Sequence, residues 1–177
     1  MIIYKHRVNT VQELIETPHD LGVEIDIRSY GDKLILHHDA FVDAVSLREW
    51  LRYFDHKSII LNVKEEGLEN RIIEEVEGAG VSDFFFLDQS FPFLIKGALA
   101  GETRSAARLS EYESIETIHK LSGLVKWVWV DCFTKFPIEE QMAFKLQRKH
   151  GFKLCLVSPE LQGRTQPSHV SSYVQEL

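Results

Sequence analysis

Short apolar runs separated by polar, amphipathic stretches recur along the whole chain. The runs are Ile2 to His6, Val23 to Arg28, Leu34 to His38, Ser58 to Lys64, Asp83 to Asp88, Arg104 to Ser110, Lys126 to Phe133 and Phe152 to Ser158. Each has the length and aliphatic or aromatic content of a strand. Between them, Thr10 to Glu16, Leu47 to Phe54, Leu68 to Ala79, Ile115 to Leu121 and Ile138 to His150 carry apolar residues at helical spacing. Strands that alternate with helices predict an α/β chain with a predominantly parallel sheet.

Two helix boundaries have good local chemistry. Ser46 precedes Leu47 as an N-cap with Glu49 three residues on, and Pro137 is placed to open a helix that ends at Gly151. The run Leu34 to His38 follows Val23 to Arg28 after too short a loop for a crossover helix, so it reads as a hairpin excursion from the second strand. Counted that way, the chain has seven strand-helix units in a single domain spanning residues 1–177. The predicted architecture is a TIM-type (β/α) barrel, shortened to about seven strands, since such barrels usually take about 200 or more residues. The edge left by a missing closing strand is an aggregation liability, and the segment Leu161 to Leu177 or a second copy of the chain is expected to cover it.

Composition narrows the class. The 177 residues include 27 Asp+Glu against 20 Lys+Arg, a net charge of −7, which argues against a general nucleic-acid coat and suits cation binding. Cys132 and Cys155 lie in apolar runs without metal-ligand spacing, as in a reduced, cytoplasmic protein. The first residues contain no secretory h-region. The greasiest stretch, Phe84 to Ala100, is broken by Asp88, Gln89, Pro92 and Lys96, so no membrane insertion is expected.

The most informative segment is Gly22-Val-Glu-Ile-Asp-Ile-Arg28. Strand alternation puts Glu24, Asp26 and Arg28 on one face and Val23, Ile25 and Ile27 on the other. In a barrel the aliphatic face meets the helices and the acidic face lines the interior near the C-terminal mouth, where barrel enzymes place their sites. Two confined carboxylates repel, and a hard divalent cation relieves them. The same alternation also fits an exposed edge strand with a solvated polar face. His6-Arg7 ends the first strand and His37-His38-Asp39 ends the hairpin, placing imidazoles suited to proton transfer at two strand ends. Asn62 and Lys64 share a face at the end of another strand, where Lys64, like Arg7, can neutralise a phosphate or simply meet solvent. Less specific candidates are Arg108, Ser110, Glu111, Asp131 and Ser158 to Glu160, while Trp127, Trp129 and Phe84 to Phe86 read as core.

The order His6-Arg7, Gly22-Val-Glu24-Ile-Asp26-Ile-Arg28, Leu36-His37-His38-Asp39 and a strand closing on Lys64 resembles the signature of the glycerophosphodiester phosphodiesterases. The likeness covers roughly the first 64 residues, with a weaker echo at Ser90-Phe91. The resemblance implies a barrel in which His6 and His38 form the acid and base pair, Glu24, Asp26 and Asn62 hold a divalent cation such as Mg²⁺ or Ca²⁺, and Arg7 and Lys64 bind the substrate phosphate. The implied substrate is a small glycerophosphodiester or a sugar-phosphate or glycerol-phosphate diester. Three departures bear on this. Val8 stands where the family usually has Gly, Asn62 where it has a third acidic ligand, and the chain is short. An amide oxygen binds a hard cation without contributing charge, so weaker metal affinity is expected. The departures also fit a catalytically silent barrel that binds phosphate esters or acts in assembly, and metal-free catalysis, as in the phosphoinositide-cleaving relatives, is a third reading.

Overall fold

Thr10 closes a capping box with Glu13 and so starts the first helix where the polar-apolar pattern places it. From there the computed structural model, which describes residues 1–163, alternates strands and helices. Its elements are β1 (Tyr4–Lys5), α1 (Val11–Glu16), β2 (Gly22–Tyr30), β3 (Lys33–Leu36), α2 (Leu47–Leu51), β4 (Ile59–Val63), α3 (Glu69–Gly78), β5 (Phe84–Leu87), α4 (Phe91–Leu99), β6 (Ala106–Leu109), α5 (Ile115–Lys120), β7 (Trp127–Val130), α6 (Glu140–Arg148) and β8 (Lys153–Leu156), followed by a 3₁₀ turn at Pro159–Gln162. Each predicted apolar run overlaps a strand. The described chain falls into two compact units, one over Met1–Leu94 and one from Ile95 onward.

In the first unit, β1, β2, β4 and β5 lie side by side in parallel, and β3 folds back antiparallel on β2 as the hairpin. The strand β2 is therefore flanked on both sides and is no solvated edge. Its aliphatic face packs as expected: Val23, Ile25 and Ile27 join Leu14 of α1, Trp50 of α2 and Ile72 and Val76 of α3 in one buried cluster. Each such aliphatic side chain contributes about 1.5–3 kcal/mol on full burial. The opposite face carries Glu24 and Asp26, both buried. Gly22 lets β1 approach, because a Cβ there would stand 2.4 Å from Tyr4 Cε1. Ser46 caps α2 by accepting from the Glu49 N–H at 3.2 Å.

In the second unit, β6, β7 and β8 run parallel. Val128 and Val130 are fully buried, as are Ile118 of α5 and Leu146 of α6. Trp129 is core, whereas Trp127 is only partly covered and receives Lys153 Nζ 5.0 Å from its ring centre. Cys132 and Cys155 are not joined in a disulfide, and burial pushes the Cys155 thiol up to about 12.

Two sequence expectations need correction. Pro137 does not open α6: Glu139 is still extended, at φ −92° and ψ 162°, and the helix runs from Glu140 to Arg148. The preceding loop is held out of helical form because the Phe133, Thr134 and Lys135 N–H groups all donate to the Glu111 carboxylate. Gly151 follows the helix at φ 74°, a left-handed position that favours glycine. Helix α4 has no counterpart among the expected helices. Cover of a sheet edge by residues 161–177 lies largely outside the described residues. Among the described residues no helix is long and apolar enough to cross a membrane.

Candidate active site

Parallel strands end at one rim, and the register brings the reactive side chains of the first unit together there. Asp26 lies opposite Asn62 in the β2–β4 pairing. His6 and Arg7 follow β1, Lys64 follows β4 and Asp88 follows β5. The Val8 N–H donates to Glu24 O at 2.8 Å and the Lys64 N–H to Ile27 O at 3.0 Å, so both strand ends are pinned to β2. Val8, where the resembling family has Gly, is buried among the helices.

Glu24 is gripped from both sides. The Arg7 N–H donates to Oε2 at 2.7 Å and Asn62 Nδ2 to Oε1 at 2.9 Å, while His6 Nε2 stands 3.6 Å from Oε2. Burial first, then the Asp26 charge, pushes the Glu24 carboxyl up to about 7, against the pull of these donors. Asp26 accepts from Asn9 Nδ2 at 2.8 Å, and its own N–H donates to Asn9 Oδ1 at 2.8 Å. Two cations face it: Lys64 Nζ lies 3.1 Å from Oδ1 and Arg7 Nε 4.0 Å from Oδ2. Burial, helped by the Arg7 charge, lowers the His6 pKa and keeps its imidazole neutral near pH 7.

His38 reaches this rim through the hairpin. The His37 N–H donates to Asp26 O at 3.1 Å, and Arg28 Nε donates to His38 O at 3.0 Å. His38 is close enough for its charge to act on His6. Its Nδ1 lies 2.9 Å from Asp39 Oδ1, and that hydrogen bond lowers the Asp39 pKa. His6, Arg7, Glu24, Asp26, His38, Asn62 and Lys64 thus all fall in the first unit, around one strand-end rim. Sequence reasoning missed Asn9 and Asp88; each is a polar residue just past a strand end, the only signal available.

The backbone is strained at the same rim. Arg7 and Asp88, just past β1 and β5, have φ of 56° and 58°, and Phe41, in the connection between β3 and α2, has 63°. Non-glycine residues held left-handed cluster at functional sites.

The fit of a cation rests on oxygen atoms. Among the described residues no three His, Cys, Asp or Glu side chains converge as ligands. Asn62 extends the set, because Asn62 Oδ1 and Asp26 Oδ1 are both buried without a hydrogen bond. Lys64 meets Asp26 Oδ1 by charge alone, outside hydrogen-bond alignment. Two buried hard oxygens without a hydrogen bond, beside a carboxylate pushed up by burial and by the Asp26 charge, suit a divalent cation.

The remaining candidates belong to the second unit and are tied into structure. Arg108 pairs with buried Asp131, which also accepts from the Cys132 N–H at 2.9 Å and Gln162 Nε2 at 2.7 Å. Glu111 is drawn down to about 2 by the Thr134 hydroxyl and the N–H groups around it, which outweigh its burial. Ser110 donates to Glu113, and Ser158 to Glu160.

The fold these elements define is a TIM-type (β/α) barrel. Two solved structures place it there, both mutant forms of the tryptophan synthase alpha-subunit from the hyperthermophile Pyrococcus furiosus. They align over 99% of this chain and 82% of their own, with TM-scores of 0.58 and 0.57 at 14% identity, a likeness of fold alone. No protein-family model matches the chain, and no curated protein matches it by sequence.

Proposed function

We propose that the chain is a phosphodiester hydrolase acting on a small glycerophosphodiester or a sugar-phosphate or glycerol-phosphate diester. The observation that carries this reading is the grouping of a lowered imidazole, His6, and a second imidazole, His38, beside two cations and a buried carboxylate pair. The resemblance of residues 6 to 64 to the glycerophosphodiester phosphodiesterases supports the same chemistry.

Arg7 and Lys64 bind the phosphate oxygens. His6, neutral and unprotonated, accepts the proton of the attacking hydroxyl as the new P–O bond forms. His38, whose Nδ1 is held by Asp39, delivers a proton from Nε2 to the leaving oxygen as the old P–O bond breaks. Glu24, Asp26 and Asn62 would hold a divalent cation, which draws charge from a non-bridging phosphoryl oxygen when bound.

The test is hydrolysis of glycerophosphodiesters by purified protein supplied with Mg²⁺, Ca²⁺ or Mn²⁺. Turnover lost in both His6→Ala and His38→Ala supports the proposal. Calorimetric binding of a phosphate ester with no turnover by the intact chain would replace it with the silent-binder reading.

A further inference from the structure

Lys64 stands between two carboxylates. Its ammonium is 3.1 Å from Asp26 Oδ1 and 3.9 Å from Asp88 Oδ2. Beside it opens a cavity of about 170 Å³ lined by Lys64, Asp88, Glu65, Glu69 and Ser90. Lysine carries a point charge on a four-carbon stem with several rotatable bonds, so Nζ can move between the two carboxylates without a backbone change. The acidic lining favours an ammonium on the Asp88 side.

The oxygen that Lys64 faces on Asp26 is also one of the two unfilled oxygens suited to a cation. An ammonium and a divalent cation cannot share it, because like charges that close repel strongly in a buried setting. The backbone at Asp88 is held at φ 58° directly after β5, which fixes this carboxylate at the rim.

Resting on the cation reading above, we propose that Asp88 is a second seat for Lys64. Lys64 pairs with Asp26 in the cation-free protein and moves onto Asp88 when a divalent cation takes Asp26. Asp88 is then a positioning residue, and Lys64 an internal competitor that sets cation affinity.

Calorimetric titration of the whole chain with Mg²⁺ and with Mn²⁺ tests this in four proteins: the unaltered chain, Lys64→Gln, Asp88→Asn and the double variant. Glutamine keeps the first half of the stem without the charge, and asparagine tolerates the left-handed backbone. Lys64→Gln should bind the cation about tenfold more tightly, as removal of a coupled competitor predicts. Asp88→Asn should weaken binding about tenfold when Lys64 is present and much less when it is absent. Thermal unfolding without metal verifies that each variant is folded, and Lys64→Met serves if Lys64→Gln is not. An equal Asp88→Asn penalty in both backgrounds, or no tightening in Lys64→Gln, overturns the second seat. Absence of cation uptake by all four proteins overturns the cation reading itself, and the seat with it.

Discussion

Asn9 holds Asp26 at two points, donating from Nδ2 to Oδ2 and accepting the Asp26 N–H on Oδ1, each at 2.8 Å. One side chain thereby fixes both the strand backbone and the carboxylate it carries. Asn9→Ala takes the hydrogen bond from a buried N–H and from a buried carboxylate oxygen, to which only the Arg7 charge at 4.0 Å remains. The expected loss is about 2–6 kcal/mol, at about 1–3 kcal/mol for each unsatisfied group, read from denaturant unfolding. A change within a few tenths of a kcal/mol would show that Asp26 is oriented by its cations instead.

Glu24 makes stability depend on pH. Its carboxyl rises from 4.5 to about 7 in the folded chain, so the folded state holds the proton more tightly than the unfolded one. The sign follows: this contribution is fully present below pH 4.5 and is lost as pH rises through about 7. Its size is about 3 kcal/mol. With chelator present, the stability of the unaltered chain minus that of Glu24→Gln should fall by this amount across that window. A flat difference would mean that burial and the Asp26 charge do not hold a proton on Glu24.

The pH profile of hydrolysis should carry the mark of His6. Its pKa is lowered by burial and then by the Arg7 charge, so the acidic limb of kcat/KM should have its midpoint below 6.5. Arg7→Gln removes that charge and should move the limb upward. His6→Ala should abolish the limb and cost about 10²- to 10⁴-fold in rate.

Trp50 ties α2 to the connection after β1, since Nε1 donates to Val8 O at 3.1 Å in a fully buried setting. Trp50→Phe orphans that carbonyl and should cost about 1–3 kcal/mol, whereas Trp50→Ala should cost about 3–5 kcal/mol through the cavity it adds. Guanidinium unfolding of the two variants separates the hydrogen bond from the volume.

Asn62→Asp exchanges a donor to Glu24 for a third carboxylate. Without cation the variant should lose about 1–3 kcal/mol, since Glu24 Oε1 loses its partner; with Mg²⁺ it should bind more tightly than the unaltered chain. Calorimetry and thermal unfolding with and without Mg²⁺ would register both shifts, and unchanged Mg²⁺ affinity would remove Asn62 from the ligand set.

Much of this was legible in the chain because strands repeat every two residues. That period alone assigned Val23, Ile25 and Ile27 to the helix side and Glu24 and Asp26 to the other, and the short turn after Arg28 marked the hairpin that carries His38. Helix α4 was not legible, because Phe91–Leu99 is apolar nearly all round and contains Pro92 and Gly97, which leaves no polar face to set a period. The start of α6 was misplaced because Glu111, remote in sequence, captures the loop before it. Asn9 and Asp88 were invisible for a similar reason: their placement depends on left-handed backbone at Arg7 and at Asp88 itself, which periodicity does not encode.

The left-handed residues also set a direction for laboratory evolution. A side chain larger than glycine held in that conformation costs about 1–2 kcal/mol, so a library selected only for heat tolerance should converge on glycine at positions 7 and 41. At Phe41, which is fully exposed, the exchange would also remove an aromatic surface prone to sticking. At Arg7 it would delete a cation beside Asp26. Selection for robustness and selection for turnover should therefore agree at one of these positions and part company at the other.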